Sequence, residues 1–304
     1  MCGIVGLFLK EKKLEGHLGS YLSDMLIEMT ERGPDSVGFA IYDQPTIGKQ
    51  IKCTLLNTLV DSGEELNWDE VRQALKKQFG NDTKFEEKGS HALISVATDT
   101  NTLNEWLNEN FPHINVNGSG RVIEIYKEKG LPKDVIASFN LQSFTGSHAL
   151  GHTRMATESA VTTGHSHPFS TGDDICLVHN GSLSNHNRWR EKLRKEGIVI
   201  STDNDSEVAA AYFNWRLKQG DDLNTALTKA LDDLDGFYTF AIGTKDGFAV
   251  MRDNIGCKPA VIAETDQWVA MASEFRAIAM LPGVENASIW EPEPGKIYSW
   301  HKAA

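Results

Sequence analysis

The chain has 304 residues, a formal net charge of -12, 40% hydrophobic residues and 24% charged residues. This is ordinary globular usage with enough length for a large core, in one big domain or two ordinary ones. The acidity argues against a broad electrostatic grip on nucleic acid, and no segment approaches the roughly 18 uninterrupted apolar residues of a membrane span. The start does not read as a secretion signal, because its short apolar run lacks a basic region before it and meets Lys10, Glu11, Lys12 and Lys13 after it. Cys2, Cys53, Cys176 and Cys257 lie far apart with no C-x-x-C pairing, which suits a reducing cytoplasm.

Taken in order, Cys2 to Leu9 is an apolar strand, and Ser20 to Glu31 carries Leu22, Met25, Leu26 and Met29 at helical spacing until Arg32-Gly33-Pro34 ends the pattern. Val37 to Tyr42 is a second short strand. From Asp43 to about Ser147 the texture is mixed and reads as an inserted α/β elaboration, residues 43–148. Within it, Ile51 to Leu59, His91 to Ala97 and Arg121 to Tyr126 read as strands, Trp68 to Phe79 and Leu103 to Phe111 as helices, and Asn117-Gly118 as a hairpin turn. From Ala149 short apolar strands alternate with loops rich in His, Ser, Thr, Asn and Gly, the composition of loops that carry chemistry. Ile175 to Val178 is a strand running into His179-Asn180-Gly181. Asp203 to Leu217 and Leu223 to Leu234 are helices. Four strands follow, Tyr238 to Ile242, Phe248 to Arg252, Ala260 to Ala263 and Trp268 to Ala272. Periodicity alone gives an α+β fold.

Removal of Met1 would leave Cys2 as the first residue, with a thiol and a free α-amine on one residue. The thiolate is the nucleophile, and an α-amine, which ordinarily titrates at about 7.7–8.0, is a base near neutrality. A Met-Cys start taken alone reads better as a structural cysteine opening a strand. The context changes that: Cys2-Gly3-Ile4, Arg32-Gly33-Pro34-Asp35, Gly151-His152-Thr153-Arg154, His165-Ser166-His167-Pro168-Phe169, His179-Asn180-Gly181 and Asp203-Asn204-Asp205-Ser206-Glu207-Val208 occur in this order. Together they resemble the class II glutamine amidotransferases, which are N-terminal-nucleophile hydrolases. The resemblance covers residues 1 to about 42 and 149 to about 300. Arg252 to Pro259 and Ala272-Ser273-Glu274 resemble segments late in amidotransferase domains of the amidophosphoribosyltransferase type, which leaves Cys257 a structural role.

The resemblance implies a four-layer αββα sandwich with the α/β lobe inserted, all within one amidotransferase domain over 1–304. It implies that Cys2 attacks the glutamine side-chain amide to form a γ-glutamyl thioester, and that the Asn180 side chain and the Gly181 N–H hold the oxyanion. Arg154 would grip the α-carboxylate through its planar fork, Thr157 would add a hydroxyl and Asp205 would take the α-ammonium; Asp203 or Asn204 could equally cap the helix, and the role is left to Asp203. His167 is implied at the substrate pocket, with His179, Arg32 and Asp35 supporting it. Met155 and Glu158 depart from the tryptophan and histidine of the glucosamine-phosphate synthases. The spacing of His165, His167, His179 and His186 matches no zinc signature, so no metal is expected.

No cofactor is expected in this chain, and the cysteines are too scattered for an iron-sulfur cluster. The chain closes soon after this domain, so an acceptor-using synthase subunit is the expected partner. A chain of this length resembles the amidotransferase subunit of glutamate synthase-like enzymes, including N-methylglutamate synthase, whose flavin or iron-sulfur chemistry would lie in other subunits. Two alternatives stand beside it: an N-terminal-nucleophile amidohydrolase acting on another amide, and a catalytically silent regulatory subunit.

Overall fold

The computed structural model describes residues 2–64, 66–155 and 161–302. Its strands in chain order are β1 (Gly3–Leu9), β2 (Ser36–Tyr42), β3 (Ile51–Asn57), β4 (Lys84–Lys88), β5 (His91–Val96), β6 (Ile114–Gly120), β7 (Ile123–Lys129) and β8 (His148–Arg154). They continue with β9 (Phe169–Gly172), β10 (Ile175–Leu183), β11 (Gly236–Thr244), β12 (Gly247–Arg252), β13 (Val261–Glu264), β14 (Trp268–Ala272), β15 (Ser288–Trp290) and β16 (Ile297–His301). The α-helices are α1 (Leu18–Glu28), α2 (Trp68–Phe79), α3 (Thr100–Asn110), α4 (Pro132–Phe139), α5 (His186–Lys195), α6 (Asp205–Lys218), α7 (Leu223–Asp233) and α8 (Phe275–Ile278).

β1 is buried on both faces because each face meets a different core. Val5, Leu7 and Leu9 point with Phe39 and Ile41 of β2 toward Leu22, Met25 and Leu26 of α1, and toward α4 and α8. Ile4 and Phe8 point the other way, where Ala40 and Leu150 meet Cys176, Val178, Ala241, Phe248 and Val250 of a second sheet. That second sheet turns its far side, including Leu177, Phe240 and Met251, to helices α5, α6 and α7. Alternation with period two therefore produces four layers, helices, sheet, sheet, helices. The first sheet has seven strands in the order β15-β13-β14-β1-β8-β2-β7, and the second five in the order β16-β12-β11-β10-β9. Antiparallel pairing to β8 and β14 puts β1 at the centre of the first sheet. Helix α6 is buried from Ser206 to Asn214, because it is apolar on several sides and lies among α5, α7 and the sheet.

A third sheet, β4-β5-β3-β6, has its own core, where Leu55 and Ile94 pack on Trp68, Val71 and Leu75 of α2 and on Leu103 and Leu107 of α3. The separate lobe is thus narrower than 43–148. β7 pairs along its whole length with β2, and α4 sends Val135, Ile136 and Phe139 into the first core, so both belong to the main body. Asn117-Gly118 is not a turn. Both residues lie within β6, where Gly118 sits against Ile125 with no room for a larger side chain and Asn117 Nδ2 donates to the Ile125 carbonyl.

Two polar staples tie lobe to body. Asp174 Oδ1, on the turn before β10, accepts the N–H groups of Arg121 and Val122 at 2.8 Å and of Ile123 at 3.1 Å. Lys52 of β3 pairs with Glu124 of β7 at 2.9 Å, and Tyr126 donates to the other carboxylate oxygen at 2.9 Å. Both members of the ion pair are buried, so removing one leaves an uncompensated charge.

Burial holds His91, His148 and His152 neutral, each with its pKa pushed down to about 3. An unfolded histidine titrates near 6.5, so the stability these rings contribute is complete above that pH and is lost as pH falls toward 3. Each ring adds about 1.4 kcal/mol per pH unit to the slope within that window. Urea unfolding of His91→Gln between pH 4 and 6 should show a slope shallower by about one proton than wild type.

Candidate active site

Cys2 precedes β1 at the end of the sheet where β8 finishes in Arg154, since Gly3 lies opposite Thr153. Two donors converge on the Cys2 carbonyl: Arg32 Nε at 2.9 Å and Asn180 Nδ2 at 3.3 Å. Arg32 is buried and is held by Glu274 at 2.6 Å. The neighbouring Ser273 exchanges two hydrogen bonds with Ile4, donating its N–H to the Ile4 carbonyl at 2.9 Å and accepting the Ile4 N–H on its hydroxyl at 3.0 Å. The backbone of Cys2 is therefore fixed while its thiol stays half-exposed, 3.9 Å from the Met155 carbonyl.

Asn180 and Gly181 lie inside β10, opposite Thr239 and Tyr238 of β11, so their dipeptide is not a hairpin turn. Gly181 has φ of 151°, and a Cβ there would fall 2.0 Å from the Phe237 carbonyl. Only glycine fits, and its exposed backbone stands beside the buried Asn180 side chain. This pair can present a side-chain and a main-chain donor together.

Arg154 is 5% exposed, and burial lowers its pKa while the neighbouring Cys2 and Asp35 raise it. A desolvated guanidinium beside the thiol suits an anionic group. The N–H of Asp35 donates to the Arg154 carbonyl at 3.0 Å, which ties the turn after Arg32 to the same strand end. Asp205 opens α6 and accepts the Leu183 N–H at 2.9 Å, so its carboxylate is anchored to β10. The helix cap is Asn204, whose side chain accepts the Ser206 N–H at 2.9 Å, and Asp203 does not fill that role. Asn204 has the extended backbone of a cap, and its oxygen reaches two residues on.

Three histidines pack against one another beside the strand of Asn180. His179 shares a hydrogen bond with Ser206 Oγ at 2.8 Å, and burial depresses its pKa against the opposing pull of Asp205. The His152 Nε2 is 3.0 Å from the His179 carbonyl, and the His152 ring stacks on His167 with centroids 4.0 Å apart. His167 is buried, and burial first, with the neighbouring His152, His179, Arg154 and Lys127 acting in the same direction, keeps its pKa well below the usual histidine range. A cis bond joins His167 to Pro168. His167 is thus linked to the strand of Asn180 through His152. Among the described residues no group of three His, Cys, Asp or Glu side chains is arranged to hold a metal ion.

The structure brings together Cys2, Arg32, Asp35, Arg154, Asn180, Gly181, His179 and Asp205 around one end of the sandwich. Met1, Thr157 and Glu158 lie outside the described residues. Sequence reasoning assigned no role to Ser273 and Glu274, although it matched their segment, and it missed the stacked His152. The signal available for Glu274 was a carboxylate beside an apolar strand, which takes on meaning only once β14 pairs with β1.

The His167 carbonyl lies 2.0 Å from where a Cβ on Gly38 would stand. Gly38→Ala should cost about 1–3 kcal/mol in chemical denaturation, because β2 is hydrogen-bonded on both sides, to β7 and β8, and the clash is with backbone and not with a movable side chain.

The sequence pattern of the glutamine amidotransferase domain matches residues 152–280. The chain is 54% identical to the glutamine amidotransferase-like protein GlxB of Rhizobium meliloti (strain 1021), over 99% of this chain and 98% of that protein. It is 31% identical to a putative glutamine amidotransferase of Methanothermobacter thermautotrophicus, over 98% of each. In fold it resembles the glutamine phosphoribosylpyrophosphate amidotransferase of B. subtilis, with a TM-score of 0.61 and 20% identity. The match covers 99% of this chain, which spans 47% of the length of that solved one. No helix among the described residues is long and apolar enough to cross a membrane. With its αββα sandwich and its cysteine at the end of the central strand, the chain belongs to the class II glutamine amidotransferases.

Proposed function

We propose that this chain is a glutaminase subunit that releases ammonia from glutamine through Cys2 and passes it to an acceptor-using synthase subunit in the cytoplasm. The observation that carries the reading is the convergence of Asn180 on Cys2, with Gly181 beside it and the buried Arg154 at the same strand end.

The thiolate of Cys2 adds to the side-chain carbonyl carbon, and the negative charge moves to the amide oxygen. Asn180 Nδ2 and the Gly181 N–H stabilise that oxygen, a contribution that typically amounts to about 10²–10³ in kcat per donor. The α-amine of Cys2 takes the thiol proton and gives it to the departing nitrogen, so ammonia leaves and a γ-glutamyl thioester remains. Water then attacks the thioester with the same amine as base, and glutamate is released. Arg154 holds the α-carboxylate and Asp205 the α-ammonium, with Thr157 adding a hydroxyl and His167 shaping the wall behind Asn180. His179, Arg32 and Asp35 keep these groups in place. The acceptor chemistry, of the glutamate synthase or N-methylglutamate synthase kind, and any flavin or iron-sulfur group it uses, belong to the partner, and no cofactor is assigned to this chain.

Ammonia release from glutamine should fall to background in Cys2→Ala and by about 10²–10³ in Asn180→Ala, measured with copurified partner subunits present. No release by the wild type under those conditions refutes the reading. Intact mass of the active protein should lack Met1, since a preceding residue would convert the Cys2 amine into an amide. Addition of 2-oxoglutarate or methylamine-linked acceptors to the copurified assembly should identify which nitrogen acceptor draws the ammonia.

A further inference from the structure

A polar cluster outside the residues around Cys2 joins the inserted lobe to the segment 161–168. Asp61 lies on the 3-10 turn Thr58–Ser62 at the end of β3. Its two carboxylate oxygens each lie 3.1 Å from the Thr163 N–H, and Lys129 Nζ pairs with it at 2.8 Å. Thr163 is fully buried and donates its hydroxyl to Glu128 at 2.6 Å, while Ser90 of the lobe donates to the other Glu128 oxygen at 2.6 Å. The next carbonyl, Gly164, accepts from the buried Lys127 at 3.1 Å. Asp61 thus fixes the Thr162–Thr163 peptide unit, Lys127 the Gly164–His165 unit, and Glu128 the Thr163 hydroxyl between them.

Those units lead straight to His167. Its carbonyl is pressed against Gly38, its ring stacks on His152, and His152 contacts the carbonyl of His179, the residue before Asn180. A displacement at Thr163 therefore reaches the oxyanion donor through packed rings with little slack. We propose that Asp61 and Thr163 are positioning residues through which the inserted lobe holds Asn180 in register with Cys2. This rests on the glutaminase reading above. An anchor of this kind acts on an interaction made in the transition state, so its loss lowers kcat and kcat/KM together while leaving KM nearly unchanged.

The test compares glutamine-dependent ammonia release by wild type, Asp61→Ala, Thr163→Val, Thr163→Ser and the double variant Asp61→Ala/Thr163→Val, each as full chain with its copurified partners. The proposal expects kcat to fall about tenfold in Asp61→Ala and Thr163→Val, with KM within about twofold of wild type. Thr163→Ser, which keeps the hydroxyl, should retain wild-type kcat, and the double variant should be no worse than the weaker single one because both act on one element. Iodoacetamide, which has no carbonyl oxyanion to stabilise, should alkylate Cys2 at the wild-type rate in every variant. An active wild type with unchanged kcat in Asp61→Ala and Thr163→Val overturns the proposal and leaves the glutaminase reading intact. Equal losses in Thr163→Ser and Thr163→Val, or a parallel fall in iodoacetamide reactivity, also overturn it, since they mark general disruption. An inactive wild type instead sinks the glutaminase reading on which it depends.

Discussion

The carbonyl oxygen of Cys2 is held from one side by Arg32 and from the other by Asn180, and this double clamp ties the two sheets together at the point where chemistry is expected. Arg32 follows α1 and is itself held by Glu274 after β14, whereas Asn180 belongs to the opposite sheet. Neither donor could reach the carbonyl unless β1 were central in its sheet and the two sheets were packed face to face. The clamp therefore depends on the whole sandwich. It also limits Cys2 to side-chain freedom, since its main chain is spoken for while its thiol stays half-exposed. Reactive groups held by rigid strands keep their geometry better than groups on loops.

Electrostatically, the surroundings of Asn180 are unusual in their neutrality. His152, His167 and His179 are all buried and all shifted toward the uncharged form, burial being the first cause in each case. A ring stacked on another ring at 4.0 Å cannot carry a proton cheaply when its neighbour is also titratable. The histidines thus act as flat, polar packing beside the strand that carries Asn180. Their alignment explains why the motif contains several histidines although the described residues offer no metal site.

Much of the architecture was legible from period and motif. The strands that became β1, β2, β12 and β14, and the helices α2 and α7, have clear apolar repeats, and the six ordered motifs carried the family. Less legible was everything decided by tertiary pairing. Asn117-Gly118 has the composition of a turn, yet it became strand because β6 needs a small residue against Ile125. β7 could not be told from the lobe's own strands, because its partner β2 lies far away in sequence. Asn204 and Asp203 are equivalent as caps on paper, and only the backbone direction at the start of α6 chose between them. Glu274 offers only a carboxylate beside an apolar strand, and Asp61 only one on a polar turn. Their meaning lies in Arg32 and Thr163, from which they are separated by 242 and 102 positions respectively.

The lobe is attached to the main sheet at one corner. Tyr42 at the end of β2 lies directly opposite Ile123 at the start of β7, so the chain leaves the main sheet and re-enters it through what is geometrically a single hairpin. The cost of closing a long insertion grows only slowly with its length. That corner therefore carries an independently packed module without altering the register of any central strand. Asp174 and Asp61 then fix the module to the main body.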